Sequence, residues 1–453
     1  MFDSLSNYNS IVVDIGSGYT KAGFTGEDGP RCVFPSLVGM PRNPGILVGM
    51  EQKEYYVGEE SLSKMDIMNF YTPVENGEIK DWNKFETLLH YLFFSELKIV
   101  PEEISILITE SPLNDSKNRE RLAETLFETF NIQNLHIANS SMLGLYSYGL
   151  SSGLVIDSGF GQTSCVPVYE GYPLPHASTK CYFAGKELSD ILLNMLYSQI
   201  NSVSSNYGNL LTNQSNKSLV NLNDNNNNEN LNKMYADNIK NMKVSKSFNG
   251  LGSSFSKPID CKVIKSRLLA DKIKESYGLL VKNIEEEEDS VYNILLKYNI
   301  NKGSDLIVNS ENENNDLYYE LPDKNKIRLS SELYKHAESI YKPNLNDNPS
   351  ILQLINESLS KCDSDIIEEI QENICLIGGT TLYNGYFERL ELELSQRKEN
   401  NSFRLNSSAE RQYSSWIGGS IVSSLSNFNS MWVSRQNYDE AGSILDAVES
   451  KCF

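Results

Sequence analysis

Basic residues are scarce in this chain. Forty lysines and arginines stand against sixty aspartates and glutamates, a net charge of −20. Polyanions would be repelled, which argues against a general nucleic-acid or membrane-surface binder and fits basic partners or a cationic cofactor. Histidine is scarcer: four in 453 residues, at positions 90, 136, 176 and 336, with no metal-ligand spacing. The seven cysteines, at 32, 165, 181, 261, 362, 375 and 452, include no C-x-x-C, so they read as free thiols of a reducing compartment. No apolar run reaches membrane-spanning length, and residues 1–10 lack the apolar core of a signal peptide; a cytosolic or nuclear location is expected. Neither G-x-x-x-x-G-K-[ST] nor a clean G-x-G-x-x-G occurs, which argues against a P-loop NTPase or a Rossmann dehydrogenase.

What is present is a repeated pattern. Ile11-Val12-Val13-Asp14-Ile15-Gly16-Ser17-Gly18 is an apolar strand that ends on an aspartate and a glycine turn, and Tyr19 to Phe24 forms a second strand. Leu154-Val155-Ile156-Asp157-Ser158-Gly159-Phe160-Gly161 repeats the plan. Such an echo predicts two halves of one design whose turns face each other. Glycines let successive N–H groups converge into a nest for phosphate. An aspartate cannot ligate phosphate, but Asp14 and Asp157 can hold Mg²⁺ or Ca²⁺, directly or through waters. Lys21 can add positive charge on the phosphates.

Elsewhere, strands alternate with helices, which predicts a mixed α/β sheet covered by helices. Helical spacing runs over Trp82–Phe94 and Asp115–Phe130, short strands over Ile104–Ile108 and Leu135–Ala138, and a helix over Ser140–Tyr148. Pro35 to Ser63 reads as a loop with an apolar tip around Ile46-Leu47-Val48. Residues 201–258 are dominated by asparagine and serine and read as a disordered insertion; 299–315 is a second asparagine-rich loop. Lys265–Ile284 reads as a helix leading into the acidic run 285–289, and Asp363–Glu372 as an acidic helix. A third glycine site, Ile377-Gly378-Gly379-Thr380-Thr381-Leu382-Tyr383, follows an apolar strand and should open a helix, a ready anion or nucleoside site.

These pieces resemble actin and the actin-related proteins. The resemblance rests on Asp14-Ile15-Gly16-Ser17-Gly18 with Lys21-Ala22-Gly23-Phe24, Val48-Gly49-Met50, Tyr56-Val57-Gly58, Phe127-Glu128-Thr129-Phe130-Asn131, and Pro167-Val168-Tyr169-Glu170-Gly171-Tyr172. It continues through Tyr319-Glu320-Leu321-Pro322-Asp323, Gly378-Gly379-Thr380-Thr381, Trp416-Ile417-Gly418-Gly419-Ser420 and Lys451-Cys452-Phe453.

The resemblance implies an α/β, actin-type fold, a ribonuclease-H-like duplication with a nucleotide cleft between two lobes. Residues 1–147 and 414–453 would form the small lobe, with a mobile loop over 43–63, and 148–413 the large lobe. ATP or ADP with Mg²⁺ or Ca²⁺ would be the cofactors. Gly16, Ser17, Gly18 and Lys21 would meet the phosphates from one side, and Asp157, Ser158, Gly159 and Gly161 from the other. Asp14 and Asp157 would hold the metal's waters, Lys274 and Glu275 the ribose and base, and Gly378, Gly379, Leu382 and Tyr383 the adenine side. Ser140–Tyr148 and Arg411–Tyr413 would be hinge crossings.

The departures from the family are specific. The glutamine and histidine that handle the attacking water are replaced by Ser140 and Ser164, and the fourth residue of the second phosphate turn is Phe160 instead of aspartate. Asn76 stands for a methylatable histidine, Gln412 for an adenine-side lysine, and the polar run 343–349 for an apolar plug loop. These changes predict ATP binding with weak or absent hydrolysis, at most a slow ATPase, and poor self-polymerisation. Two roles remain. One is a cytoskeletal or scaffold protein whose partners are actin or actin-binding proteins. The other is a nuclear subunit of a chromatin-remodelling or histone acetyltransferase complex. A sugar kinase or chaperone ATPase lobe fits less well, because no substrate-facing base and no following substrate domain are found. Neither sequence-specific nucleic-acid contact nor membrane attachment is expected.

Overall fold

The computed structural model describes residues 10–43, 53–197, 258–282, 291–297, 300, 305–309, 316–321, 324, 326–343, 348–396 and 403–440. The tip of the 43–63 loop, all but the last residue of the 201–258 insertion, the acidic run 285–289, the middle of the 343–349 loop and the ending 451–453 lie outside them.

Two sheets organise the chain. The first begins with β1 (Ser10–Ile15), β2 (Tyr19–Phe24) and β3 (Cys32–Pro35), then β4 (Ser105–Glu110) and β5 (Asn134–Asn139). The second holds β6 (Gly153–Ser158), β7 (Thr163–Tyr169), β8 (Tyr172–Pro173), β9 (Thr179–Cys181), β10 (Asn373–Ile377) and β11 (Arg404–Ser407). A short β12 (Val433–Ser434) returns to pair with β5. The orders are β12-β5-β4-β1-β2-β3 and β8-β7-β6-β10-β11, with β9 also on β7.

The repeated pattern is a true duplication of topology. In the first sheet β1 pairs antiparallel with β2 and parallel with β4, and β4 runs parallel to β5. In the second, β6 pairs antiparallel with β7 and parallel with β10, and β10 runs parallel to β11. Parallel strands covered on both faces should be apolar along their length. Ile11, Val12 and Val13, and Leu154, Val155 and Ile156, are accordingly all fully buried.

Three helices matter for the site: α1 (Ser140–Tyr146), α2 (Cys261–Tyr277) and α3 (Ser414–Ser423). α1 follows β5 and carries the chain into the second sheet; α3 follows β11 and carries it back. They pack on one another along a seam built from Val12, Leu107, Ala138, Leu143 and Trp416.

Several boundaries differ from expectation. α2 spans 261–277 instead of 265–284: Asp260 caps its start by accepting from Lys262 N–H, and Gly278 takes an extended conformation at its end. The 82–94 helix widens into a π-helical coil over Tyr91–Leu97, as does the 115–130 helix over Thr125–Thr129. The acidic helix is only Ile367–Glu372. Part of the 35–63 loop is ordered into strands Val38–Pro41 and Tyr56–Val57 and a helix, Gly58–Ser63. The second loop contains a strand, Leu306–Asn309, which pairs with Asp316–Glu320. Its apolar run Leu306-Ile307-Val308 was obscured by polar flanks; Leu306, Leu317, Tyr319 and Leu329 pack against Ile273 and Tyr277 of α2. No helix among the described residues is long and apolar enough to cross a membrane.

Candidate functional site

The two glycine turns close in the same way. Gly16 N–H donates to the Tyr19 carbonyl at 3.0 Å, and Gly159 N–H to the Gln162 carbonyl at 3.0 Å. Each turn thus uses its first amide internally and presents its central residues, Ser17-Gly18 and Phe160-Gly161. Both lie at a cavity of about 500 Å³ between the sheets, lined from both sides. That volume is of the size that holds a nucleotide-sized ligand.

Asp14 and Asp157 hold equivalent places at the ends of β1 and β6, and both line the cavity. Asp14 accepts from Lys21 Nζ at 2.8 Å and from Thr109 Oγ1 at 2.7 Å. Lys21 is its cross-strand neighbour in the β1–β2 register, which fixes the pair. Burial, followed by the nearby Asp14 charge, pushes the Asp157 carboxyl up to about 6; Lys21 and a hydrogen bond from Ser140 oppose the rise. Two such carboxylates, one held off its ordinary value, form a site short of positive charge.

The third glycine site backs this pair. A Cβ on Gly378 would lie 2.3 Å from the Ser158 carbonyl oxygen and 2.8 Å from Asp157 Oδ1, and its φ is +90°, so only glycine fits. Thr380 Oγ1 donates to the Gly159 carbonyl at 2.7 Å, tying the same segment to the second turn. The expected helix does not open at Gly379. A single 3₁₀ turn, Gly379–Leu382, comes first, and the helix starts at Tyr386. Any ligand there meets a tight turn and the ring of Tyr383 instead of a helix terminus. The phenol O–H of Tyr383 faces Nε2 of the buried His336 at 2.9 Å, while His336 Nδ1 faces the Glu332 carbonyl.

The cavity brings together Gly16, Ser17, Gly18, Lys21, Gly159, Gly161, Lys274, Glu275, Gly378, Gly379, Leu382 and Tyr383 with the two aspartates. Ser140 also lines it. Asn139 positions Ser140 by capping α1, its Oδ1 accepting from Ser141 N at 2.9 Å. Ser158 and Ser164 do not line it. Ser158 Oγ hydrogen-bonds Thr163 Oγ1 at 2.8 Å inside the sheet. Ser164 is fully buried opposite Asp157 on β7, and its Oγ has no hydrogen-bond partner.

Lys274 is placed differently from a ligand-facing lysine. Its ammonium has three donors. All three are engaged within the chain: Gly185 O at 3.0 Å, Ser189 Oγ at 2.6 Å and Asp271 Oδ1 at 2.8 Å. Arg411, which sequence reasoning placed only at a hinge, also lines the cavity and is held by Thr381 Oγ1, Thr381 O and Ser408 O. Among the described residues, then, every cation lining the cavity is already engaged, while Asp14, Glu110, Asp157 and Glu275 line it too. Sequence reasoning also missed Tyr19, Thr109 and Gln162. Tyr19 and Gln162 were legible as the fourth residues of the repeated turns.

The fold and site define a duplicated α/β protein with a cavity between its halves that two equivalent aspartates and two glycine turns line. The family model for actin matches residues 5–453, essentially the whole chain. The chain belongs to the actin family.

Proposed function

We propose that this actin-family protein binds ATP or ADP with a divalent cation between two lobes, hydrolyses it slowly at most, and acts in the cytoskeleton or as a scaffold without readily forming filaments of its own. The observation that carries the reading is the pairing of Asp14 and Asp157 at the ends of two topologically equivalent strands, each beside a glycine turn.

The residues suit the cation. The lining carboxylates are hard oxygen donors, and the raised Asp157 marks a place where positive charge would be stabilising. Among the described residues no group of three or more His, Cys, Asp or Glu side chains converges as a metal cage. That favours an ion which keeps its waters and shares the phosphates, as Mg²⁺ does. The cation would add to the charge of Lys21, which pairs with Asp14 inside the site and would also meet the phosphates, while Lys274 and Arg411 are held by the chain itself. Ser17 and Gly18 of the first turn and Gly161 of the second would hold phosphate oxygens, and Glu275, Leu382 and Tyr383 would receive ribose and base.

Slow hydrolysis follows from Ser140 and Ser164. Ser140 reaches Asp157 with a short hydroxyl, and Ser164 does not line the cavity. Poor self-assembly follows from the polar 343–349 run. Binding of a fluorescent ATP analogue, with Mg²⁺ and then with chelator, tests the first claim; no binding in either condition sinks it. Single-turnover phosphate release and a pelleting assay test the others. A conventional-actin rate, or stable homopolymers at ordinary concentration, would refute them.

The alternative is a nuclear subunit of a chromatin-remodelling or histone acetyltransferase complex. It draws support from retained metal carboxylates combined with the two serines, a set suited to nucleotide kept and not turned over. Localisation of the tagged chain and identification of co-purifying subunits separate the two roles.

A further inference from the structure

The two turns touch each other, and they do so reciprocally. Phe160 of the second turn packs on Gly18 of the first: a Cβ on Gly18 would lie 2.9 Å from Phe160 Cβ and Cγ. Ser17, the counterpart of Phe160, packs on Gly161, the counterpart of Gly18: a Cβ on Gly161 would lie 2.7 Å from Ser17 Oγ and 3.0 Å from Asn76 N. The next residue, Gln162, donates from Nε2 to Ser111 Oγ at 2.6 Å, just beyond the end of β4. Three consecutive residues of the second half therefore meet the first half.

Each side is stiff. Behind the second turn, Gly185 N–H and Lys186 N–H donate to the Gly159 and Phe160 carbonyls at 3.1 and 2.8 Å. In front of it stands the hairpin Val74–Glu75 to Glu78–Ile79, whose two-residue tip Asn76-Gly77 has φ of 54° and 76°. Both residues at positive φ make a type I′ turn, for which Asn-Gly is the favoured pair. Gly77 N–H donates to Ser17 Oγ at 2.9 Å, and a Cβ on Gly77 would strike Ser111 Oγ at 2.6 Å and Gln162 Oε1 at 2.9 Å. Nearby, Lys180 Nζ donates to the Leu113 carbonyl at 3.0 Å.

We propose that Phe160 and Gln162 form a latch that shuts the second turn on the first without needing phosphate between them, so that nucleotide enters and leaves only when the latch opens. The inference rests on the nucleotide reading above and adds to it the residues that set the exchange rate. An acidic residue in place of Phe160 would not pack its side chain on the Gly18 backbone in this way. Gln162 supplies a polar tie next to that apolar contact.

The latch predicts a kinetic signature. A contact made equally in the empty and loaded protein slows both directions of exchange and leaves their ratio nearly alone. Stopped-flow mixing of the full chain with a fluorescent ATP analogue and Mg²⁺, followed by a chase with unlabelled ATP, measures both rates. Phe160→Ala should speed association and dissociation together, by about tenfold. Gln162→Ala and Ser111→Ala should each speed both rates by about threefold, and the double variant by no more than either single one, since they remove the same bond. These two milder variants keep the test intact should Phe160→Ala fold poorly. Unchanged rates in all variants, or faster dissociation alone with a matching loss of affinity, would overturn the latch while leaving nucleotide binding in place. Failure of the unaltered chain to bind the analogue would overturn both.

Discussion

The indole N–H of Trp416 donates to the Val12 carbonyl at 3.0 Å, joining the helix that returns to the first sheet to that sheet's founding strand. Two residues on, the helix comes closer still: a Cβ on Gly418 would lie 1.7 Å from the Leu143 carbonyl oxygen of α1. The obstacle is backbone, so no rotamer change relieves it. Gly418→Ala should destabilise the chain by about 3 kcal/mol or more, the upper end of overpacking costs. Ile421→Ala, on the same helix but 44% exposed, should stay within about 0.5 kcal/mol. Denaturant midpoints of the two variants check the contrast; equal losses would show that the seam is not the tight contact described.

Much of this architecture was legible in sequence because its causes are local. Apolar runs ending in Asp14-Ile15-Gly16 and Asp157-Ser158-Gly159 announced two strands and two turns, and the topology of both sheets follows that echo. The site was less legible where its meaning depends on partners far along the chain. Nothing near Lys274 in sequence shows that Gly185 and Ser189 take two of its donors. Ser158 sits inside a glycine-turn motif, yet its hydroxyl turns to Thr163 because side chains alternate along a strand. The strand Leu306–Asn309 was hidden because only four residues of it lie between asparagine-rich flanks, and its stability comes from pairing and from α2.

Asp157 gives a test of the proposed cation site. In the cation-free protein its folded pKa is raised to about 6, so at pH 7 the ionised form costs stability. Asp157→Asn removes that charge. It should stabilise the cation-free chain at pH 7 by roughly 1–3 kcal/mol, given about 1.4 kcal/mol per pKa unit. Under the proposed function, Mg²⁺ plus ATP should raise the melting temperature of the unaltered chain, and the same variant should lose that shift. A variant that keeps the full Mg²⁺-dependent shift would remove Asp157 from the cation site.

The Lys274–Asp271 pair predicts a structural phenotype. Their side chains are only 6% and 17% exposed, so removing one partner strands a charge that is mostly out of water. Lys274→Met should cost about 3–5 kcal/mol, the usual penalty for breaking a buried pair. Adding Asp271→Leu should recover much of it, because both charges are then gone. Chemical denaturation of the two single variants and the double variant measures the coupling. Additive losses would show that the two side chains do not depend on each other.

His136 sets a pH response. It is buried against Phe428 and Trp432, and burial lowers its pKa to about 4, with the Met431 carbonyl opposing. The folded chain thus holds it neutral, while the unfolded chain protonates it near pH 6.5. Its contribution is complete above pH 6.5 and is lost as pH falls toward 4, by about 3 kcal/mol in all. Raised carboxyls such as Asp157 and Glu338 act in the opposite sense, so the comparison must be differential. Relative to the unaltered chain, His136→Phe should gain about 3 kcal/mol between pH 7 and pH 4. A pH-independent difference would mean that the imidazole is not held neutral by burial.

Ser140 carries the last prediction. Asn139 fixes it at the first turn of α1, and its hydroxyl faces Asp157 at the cavity wall, so a longer amide from the same position would extend into the space beside both turns. Ser164 offers no equal opportunity. It is fully buried on β7, and a ring placed there would have to displace packed neighbours, at about 1–3 kcal/mol. Ser140→Gln alone should therefore raise single-turnover phosphate release, by about 10²–10³-fold if one positioned group is what the site lacks. Adding Ser164→His should lower the melting temperature before it adds rate. Should Ser140→Gln leave phosphate release unchanged while nucleotide still binds, the slow step lies elsewhere, and the serine at the start of α1 does not limit the chemistry.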